Sequence, residues 1–192
     1  MAQGALDAVA AMGKEVPKEL VEPTARLLHD DRTPLRRHAA ETLGAIGKAG
    51  PNVAITALVK RYPAEQVVEV RAEIAKALGR IGEDGPKLVM DYLLAYAKDP
   101  SRVVRQAAAI SLTCAAGHRP ETTPASLALA GLLEDESADV RRAAAEALGQ
   151  FSEVAPNVLA ALDRASMDSD PQVRTLAAES AATIRASLKQ TN

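Results

Sequence analysis

Three histidines, one cysteine and a regular row of arginines and acids are the residues of this chain whose types could do chemistry. His29, His38 and His118 could ligate a metal or move a proton. None has a second histidine or a cysteine at metal-ligand spacing. Cys114 is the single cysteine, which excludes an internal disulfide framework and a cysteine zinc cluster. It follows Thr113 near a helix end and reads as a packed or half-buried thiol. GKAGP (Gly47–Pro51) and GEDGP (Gly82–Pro86) are glycine-rich, but no strand precedes them, so they are turns between helices and not phosphate loops. The remaining candidates are Arg36, Arg71, Arg105, Arg141 and Arg174, each with an acid six residues earlier: Asp30, Glu65, Asp99, Asp135 and Asp168. Such a row can track phosphates or pair with carboxylates. An acid in register with every arginine favours pairing. The acids are spread along the chain and form no private pair for acid–base catalysis. The expectation is no catalytic residue, no metal and no cofactor.

What positions these residues is a set of helices. The chain has 192 residues, 47% apolar, with only 2% aromatic: no Trp, Phe151 alone, and Tyr62, Tyr92 and Tyr96. A core is available, and its Ala, Leu, Val and Ile content suits closely packed helices. No apolar run approaches the roughly 20 residues of a membrane helix, and the N-terminus has no basic leader. A cytoplasmic protein is expected, with no membrane. The net charge of −2 gives no electrostatic reason to expect nucleic acid.

The arginines mark an internal repeat. Each follows an aliphatic residue, in Leu35, Val70, Val104, Val140 and Val173, at spacings of 35, 34, 36 and 33 residues. Eight residues after these aliphatics stand Leu43, Leu78, Leu112, Leu148 and Ala181; sixteen after them come Pro51, Pro86, Pro120 and Pro156. VAAMGKEVP (Val9–Pro17) aligns with LGAIGKAGP (Leu43–Pro51), so the chain opens inside a further copy, and one reading of this is a piece cut from a longer chain. The division is a single domain with a partial repeat over 1–16 and repeats over about 17–50, 51–85, 86–119, 120–155 and 156–192. Each copy reads as two helices. The first starts near the proline, whose missing N–H has no partner in a first turn anyway. The second follows an Asp/Ser/Pro turn such as DPS (Asp99–Ser101) or SDP (Ser169–Pro171), whose residues are good caps. In SADVRRAAAEALGQF (Ser137–Phe151), Val140, Ala144, Ala147, Leu148 and Phe151 share one face. Neither helix can bury its face alone, so neighbours must stack.

Alanine recurs five residues after each aliphatic, in Ala40, Ala75, Ala109, Ala145 and Ala178, followed four residues on by Gly44, Gly79, Thr113, Gly149 or Ala182. A helical glycine costs about 1 kcal/mol against alanine, so its recurrence requires a packing reason, and close approach of adjacent second helices supplies one. In the third copy TCAAGHRPETTP (Thr113–Pro124) replaces the usual turn. A longer loop and a shortened following helix, near Ala125–Leu133, are expected there.

The phrase acid-x4-Val-Arg-x2-(Ala)-Ala-x3-Leu-Gly, with two helices per roughly 34 residues, resembles the short HEAT-like repeats of bacteria and archaea, found also in the phycobilin lyases. The resemblance implies an all-α, right-handed α-solenoid with second helices on the concave face: about eleven helices in antiparallel pairs, over two-thirds of the chain helical, and no strand. It implies that the recurring arginines and acids form a ladder between neighbouring repeats. The iron-binding deoxyhypusine hydroxylases of this class use His-Glu dipeptides, which are absent here. The HEAT-like DNA glycosylases need aromatics and a basic groove, and the chain has neither.

Function then falls to the exposed face of the second helices. Two, six and ten residues after the aliphatic, the columns read Arg37-Glu41-Ala45, Ala72-Lys76-Arg80, Gln106-Ile110-Cys114, Arg142-Glu146-Gln150 and Thr175-Glu179-Thr183. Ile110 stands where its siblings are charged. With Ala72 and Cys114 it forms an apolar spot in a charged trough, or else it packs under the irregular loop. The expected contact surface is Lys76, Arg80, Gln106, Ile110, Cys114, Arg142 and Glu146, suited to a protein or peptide partner. The expected role is a binding scaffold; the alternative is a regulatory or chromophore-handling subunit like the bilin lyases.

Overall fold

The computed structural model describes residues 2–12, 17–82, 87–116, 123–151 and 154–190. Among them there is no strand. The helices are α1 (Ala2–Ala11), α2 (Val21–Arg26), α3 (Thr33–Ile46), α4 (Pro51–Arg61), α5 (Val68–Gly82), α6 (Lys87–Tyr96), α7 (Arg102–Ala116), α8 (Thr123–Leu132), α9 (Ala138–Leu148), α10 (Pro156–Ala165) and α11 (Pro171–Gln190). Short 3-10 turns at Lys18–Leu20, Leu27–His29, Gly47–Ala49 and Tyr62–Ala64 join or extend them. The second helices α3, α5, α7, α9 and α11 stack in order, with α1 on the outer side of α3. The first helices α2, α4, α6, α8 and α10 each pack on the second helix of their own pair. This is an α-solenoid.

The repeated columns form its core. Leu43, Leu78, Leu112 and Leu148 are fully buried, as are Ala40, Ala75, Ala109 and Ala145. Each such leucine contributes about 1.5–3 kcal/mol by leaving water. Ala178 and Ala182 are exposed, because no described helix packs beyond α11. Val140, Ala144, Ala147, Leu148 and Phe151 are all buried.

Close approach is enforced by glycine. A Cβ on Gly44 would lie 2.9 Å from Ala77 Cα, and one on Gly79 would lie 2.7 Å from Ser111 Cβ and 2.9 Å from its Cα. Both glycines are inside their helices. Gly149 instead follows the end of α9, yet its Cβ would meet Ser180 Oγ at 2.6 Å. Second helices thus approach more tightly than the leucine- and tyrosine-bearing first helices. A stack tighter on one side is expected to bend toward that side, with the second helices concave.

Two local expectations differ. Helix α8 is not shortened: it has 10 residues, as do α6 and α10. Pro124 occupies its first turn, where a missing N–H is harmless, so the proline starts the helix and does not trim it. The expected long loop falls on residues 117–122, outside the described residues, and His118 lies there too. Capping by the Asp/Ser/Pro turns is also uneven. Ser137 makes no side-chain cap bond. The turn is closed two residues earlier, where Asp135 Oδ1 accepts from Ser137 N–H at 2.9 Å. Only at α11 does a residue of the SDP turn cap directly, Asp170 Oδ1 accepting from the N–H groups of Gln172 and Val173.

Candidate functional site

Each periodic acid has two tasks. Its carboxylate accepts the N–H two residues on: Asp30 from Arg32, Glu65 from Val67, Asp99 from Ser101, Asp135 from Ser137 and Asp168 from Asp170. Four of the five also receive the arginine of the preceding repeat. Arg36 donates from Nε and Nη2 to Glu65 at 2.8 and 3.1 Å. Arg105 meets Asp135 at 2.6 and 2.9 Å, and Arg141 meets Asp168 at 2.8 Å twice. These three arginines also use Nη1 to bond the carbonyl of their own repeat's acid. Among the described residues Arg174 donates only to the carbonyls of Asp168 and Ser169. Asp30, which has no preceding arginine in register, pairs with Arg32.

The pairs hold their charges. Burial would raise Glu65, but hydrogen bonds from Arg36, Val67 N–H and Arg61 outweigh it and hold the carboxyl at about 2. Asp135 is likewise kept below the usual range against its burial, by Arg105 and Ser137 N–H. Asp168 is lowered chiefly by Arg141. Guanidiniums this occupied have few donors left for a phosphate.

The second rung is altered. Arg71 reaches Asp99 through a single bond of 3.3 Å, because Tyr62 Oη donates to the other oxygen at 2.6 Å. Tyr62 stacks on Tyr96 with ring centroids 3.6 Å apart, and Tyr92 leans on Tyr96. Burial, then the bond to Asp99, pushes the Tyr62 phenol well above its ordinary value, so it stays a donor.

The exposed surface of the second helices has a sharp pattern. In all five copies the residues six and ten after the aliphatic are exposed: Glu41, Lys76, Ile110, Glu146 and Glu179, then Ala45, Arg80, Cys114, Gln150 and Thr183. Ala72 is buried, so it leaves the expected apolar spot. Cys114 is exposed, not packed. Ile110 is 49% exposed and so belongs to the surface. Lys76 and Arg80 share the Glu73 carboxylate, at 3.3 and 3.7 Å. Arg142 is tied to Asp139 and Gln172 at the start of α9 and α11. Gln106 is half-buried on α7. His38 lies between Asp7 and Glu41, 2.8 and 3.4 Å away, where it joins α1 to α3.

Ile110, Cys114 and Glu146 border one cleft of about 340 Å³ between α7 and α9, completed by Thr113, Ala143, Ala147 and Gln150. Lys76 and Arg80 lie one helix away; Gln106 and Arg142 do not line the cleft. Thr113, Ala143 and Ala147 are the wall residues that the surface columns miss, and Thr113 is the one that departs from its sibling repeats. Its signal is in the sequence: it occupies the glycine column. Among the described residues no cluster of His, Cys, Asp and Glu could hold a metal ion, and no helix is long and apolar enough to cross a membrane.

A stacked array of helix pairs with a periodic arginine–acid ladder defines a helical-repeat solenoid. Residues 2–79 and 91–182 match the family model of HEAT repeats, and the chain belongs to that family. No curated protein matches it. Among solved structures, YibA of Escherichia coli is similar with a TM-score of 0.70 at 19% identity, over 95% of this chain and 67% of that one. An engineered protein matches with a TM-score of 0.63 at 19% identity, covering 96% and 92%. A designed armadillo repeat protein in complex with the peptide (KR)4 matches with a TM-score of 0.59 at 19% identity, covering 95% and 91%. At these identities the likeness concerns the fold.

Proposed function

We propose that the chain is a non-enzymatic binding module whose concave trough holds a protein or peptide segment. The observation that carries this reading is the unbroken exposure of two columns along five consecutive second helices, with Ile110 as an exposed apolar residue among charged ones. A trough of mixed sign suits a mixed-charge polypeptide better than a polyanion. The designed armadillo neighbour in complex with (KR)4 supports the kind of partner. An exposed, unpaired Cys114 suits a reducing compartment such as the cytoplasm. The chromophore-handling alternative has less support, since Tyr62, Tyr92 and Tyr96 are engaged with one another and Asp99 and not with the trough.

A dodecapeptide display library panned on the full chain tests the reading. Enriched peptides should lose at least tenfold in affinity for a Lys76→Glu/Arg80→Glu variant. They should bind Val53→Asp, on the opposite face beside α2, with unchanged affinity. Peptides that ignore the concave double variant and are lost with Val53→Asp would move the site to the convex side and overturn the proposal.

A further inference from the structure

The cleft lies at the one junction of α3 to α11 where the glycine column is broken. At Gly44, Gly79 and Gly149 even a single Cβ would strike the following helix. Thr113 places three side-chain heavy atoms at the equivalent point of α7, so α7 and α9 cannot close on this side. Opposite Thr113, α9 brings only the small Ala143 and Ala147. The gap is therefore not refilled. Its walls are Ile110 on one side and the two alanines on the other, with Glu146 and Gln150 at the rim. Thr113 Oγ1 is buried there without a hydrogen-bond partner.

The charges on either side of this gap differ in sign. Toward α5, Lys76 and Arg80 share one carboxylate, which leaves a net positive charge. Toward α11, Glu146 and Glu179 are exposed and have no ion-pair partner among the described residues, since Arg142 is directed to Asp139 and Gln172. Along the trough the order is thus cation, apolar gap, anion, anion.

Resting on the trough reading above, we propose that the α7/α9 cleft is the anchor pocket for an extended peptide with one aliphatic side chain inserted. The peptide carries an acidic residue on the α5 side and basic residues on the α9–α11 side. Packed helices lie about 8–10 Å apart, and an extended chain advances roughly 3.3–3.6 Å per residue. The acid then falls about four residues from the aliphatic position, and the two basic residues about one to two and about four residues to the other side. The volume of about 340 Å³ accommodates one Leu- or Ile-sized group and its immediate backbone, not a folded element.

Cys114, the single cysteine, borders the cleft and is a built-in reporter. The peptides enriched on the full chain should show the acid–aliphatic–basic order. They should slow maleimide labelling of Cys114 at least fivefold, and bind Ile110→Glu and Thr113→Gly at least tenfold more weakly. Thr113→Gly restores the residue that the sibling repeats carry and lets the helices close. If it fails to fold, Cys114 protection in the unaltered chain still decides. Peptides that depend on Lys76 and Arg80 but leave Cys114 labelling unchanged, or lack an aliphatic residue in that order, would overturn the pocket while the trough reading stands. Enriched peptides indifferent to every concave variant, or no enrichment at all, would overturn both.

Discussion

Removing Arg105 should destabilise the solenoid far more than removing Arg174, although both occupy the same column. Arg105 makes five hydrogen bonds: two to Asp135, one to Glu136, and one each to the carbonyls of Asp99 and Pro100. Its side chain is 11% exposed and that of Asp135 only 7%. Arg105→Ala leaves Asp135 buried with Ser137 N–H as its remaining donor. Removing one member of a buried pair costs about 3–5 kcal/mol. The exposed Glu136 shows that water reaches part of this pair, so the lower end, about 3 kcal/mol, is expected. At about 2–4 °C per kcal/mol for a chain of this size, the melting temperature should drop by about 6–12 °C. Arg174 is exposed and bonds two carbonyls, with no carboxylate. Its truncation should cost less than about 1 kcal/mol. Thermal melts and urea titrations followed by far-UV circular dichroism measure both, with equal m-values required before the free energies are compared. Adding Asp135→Asn to Arg105→Ala should recover part of the loss, because the stranded charge disappears. Melting temperatures of the two arginine variants within about 2 °C of each other would refute the ladder as a source of stability.

Gly79→Ala should destabilise by about 1–3 kcal/mol despite alanine's better helix propensity, because the added Cβ meets the Ser111 backbone and α5 and α7 must separate. Gly131→Ala, where nothing lies within 4 Å, should instead stabilise by about 0.4–1 kcal/mol, and urea midpoints of opposite sign check the pair. Glu65, held at about 2, and Asp135 and Asp168, also lowered, contribute stability that is complete above their unfolded values and is lost as pH falls through the folded ones. Urea midpoints should therefore fall steadily between about pH 5 and about pH 2, less steeply in Glu65→Gln; a flat profile would contradict the pairing. Tyr62→Phe removes a 2.6 Å bond to a carboxylate. It should cost about 1–2 kcal/mol in chemical denaturation, less than the full value of a charged hydrogen bond if Arg71 moves onto the vacated oxygen.

The repeat, its two helices and their buried faces were legible in the chain itself. Five copies share one environment each, so a column such as Leu43, Leu78, Leu112 and Leu148 reports its burial four times over. The exposed stripe was legible only in part. Positions four apart on a helix drift by about 40°. In the inner repeats the first column therefore turns toward the neighbouring helix, which buries Ala72 and half-buries Gln106 and Arg142, while Ile110 and Cys114 remain outside. Which carboxylate each arginine meets could not be read from spacing. Its own acid is six residues back, yet that residue offers its carbonyl, and the carboxylate comes from the next repeat, as in Arg36 to Glu65. Tyr62 was invisible for the same reason, since its stacking on Tyr96 and its bond to Asp99 exist only across a repeat boundary. By itself the sequence determined the period, the helices and the break at Thr113. Only the tertiary structure decided that this break becomes a cleft, because a gap depends on the small Ala143 and Ala147 that the opposing helix brings to it.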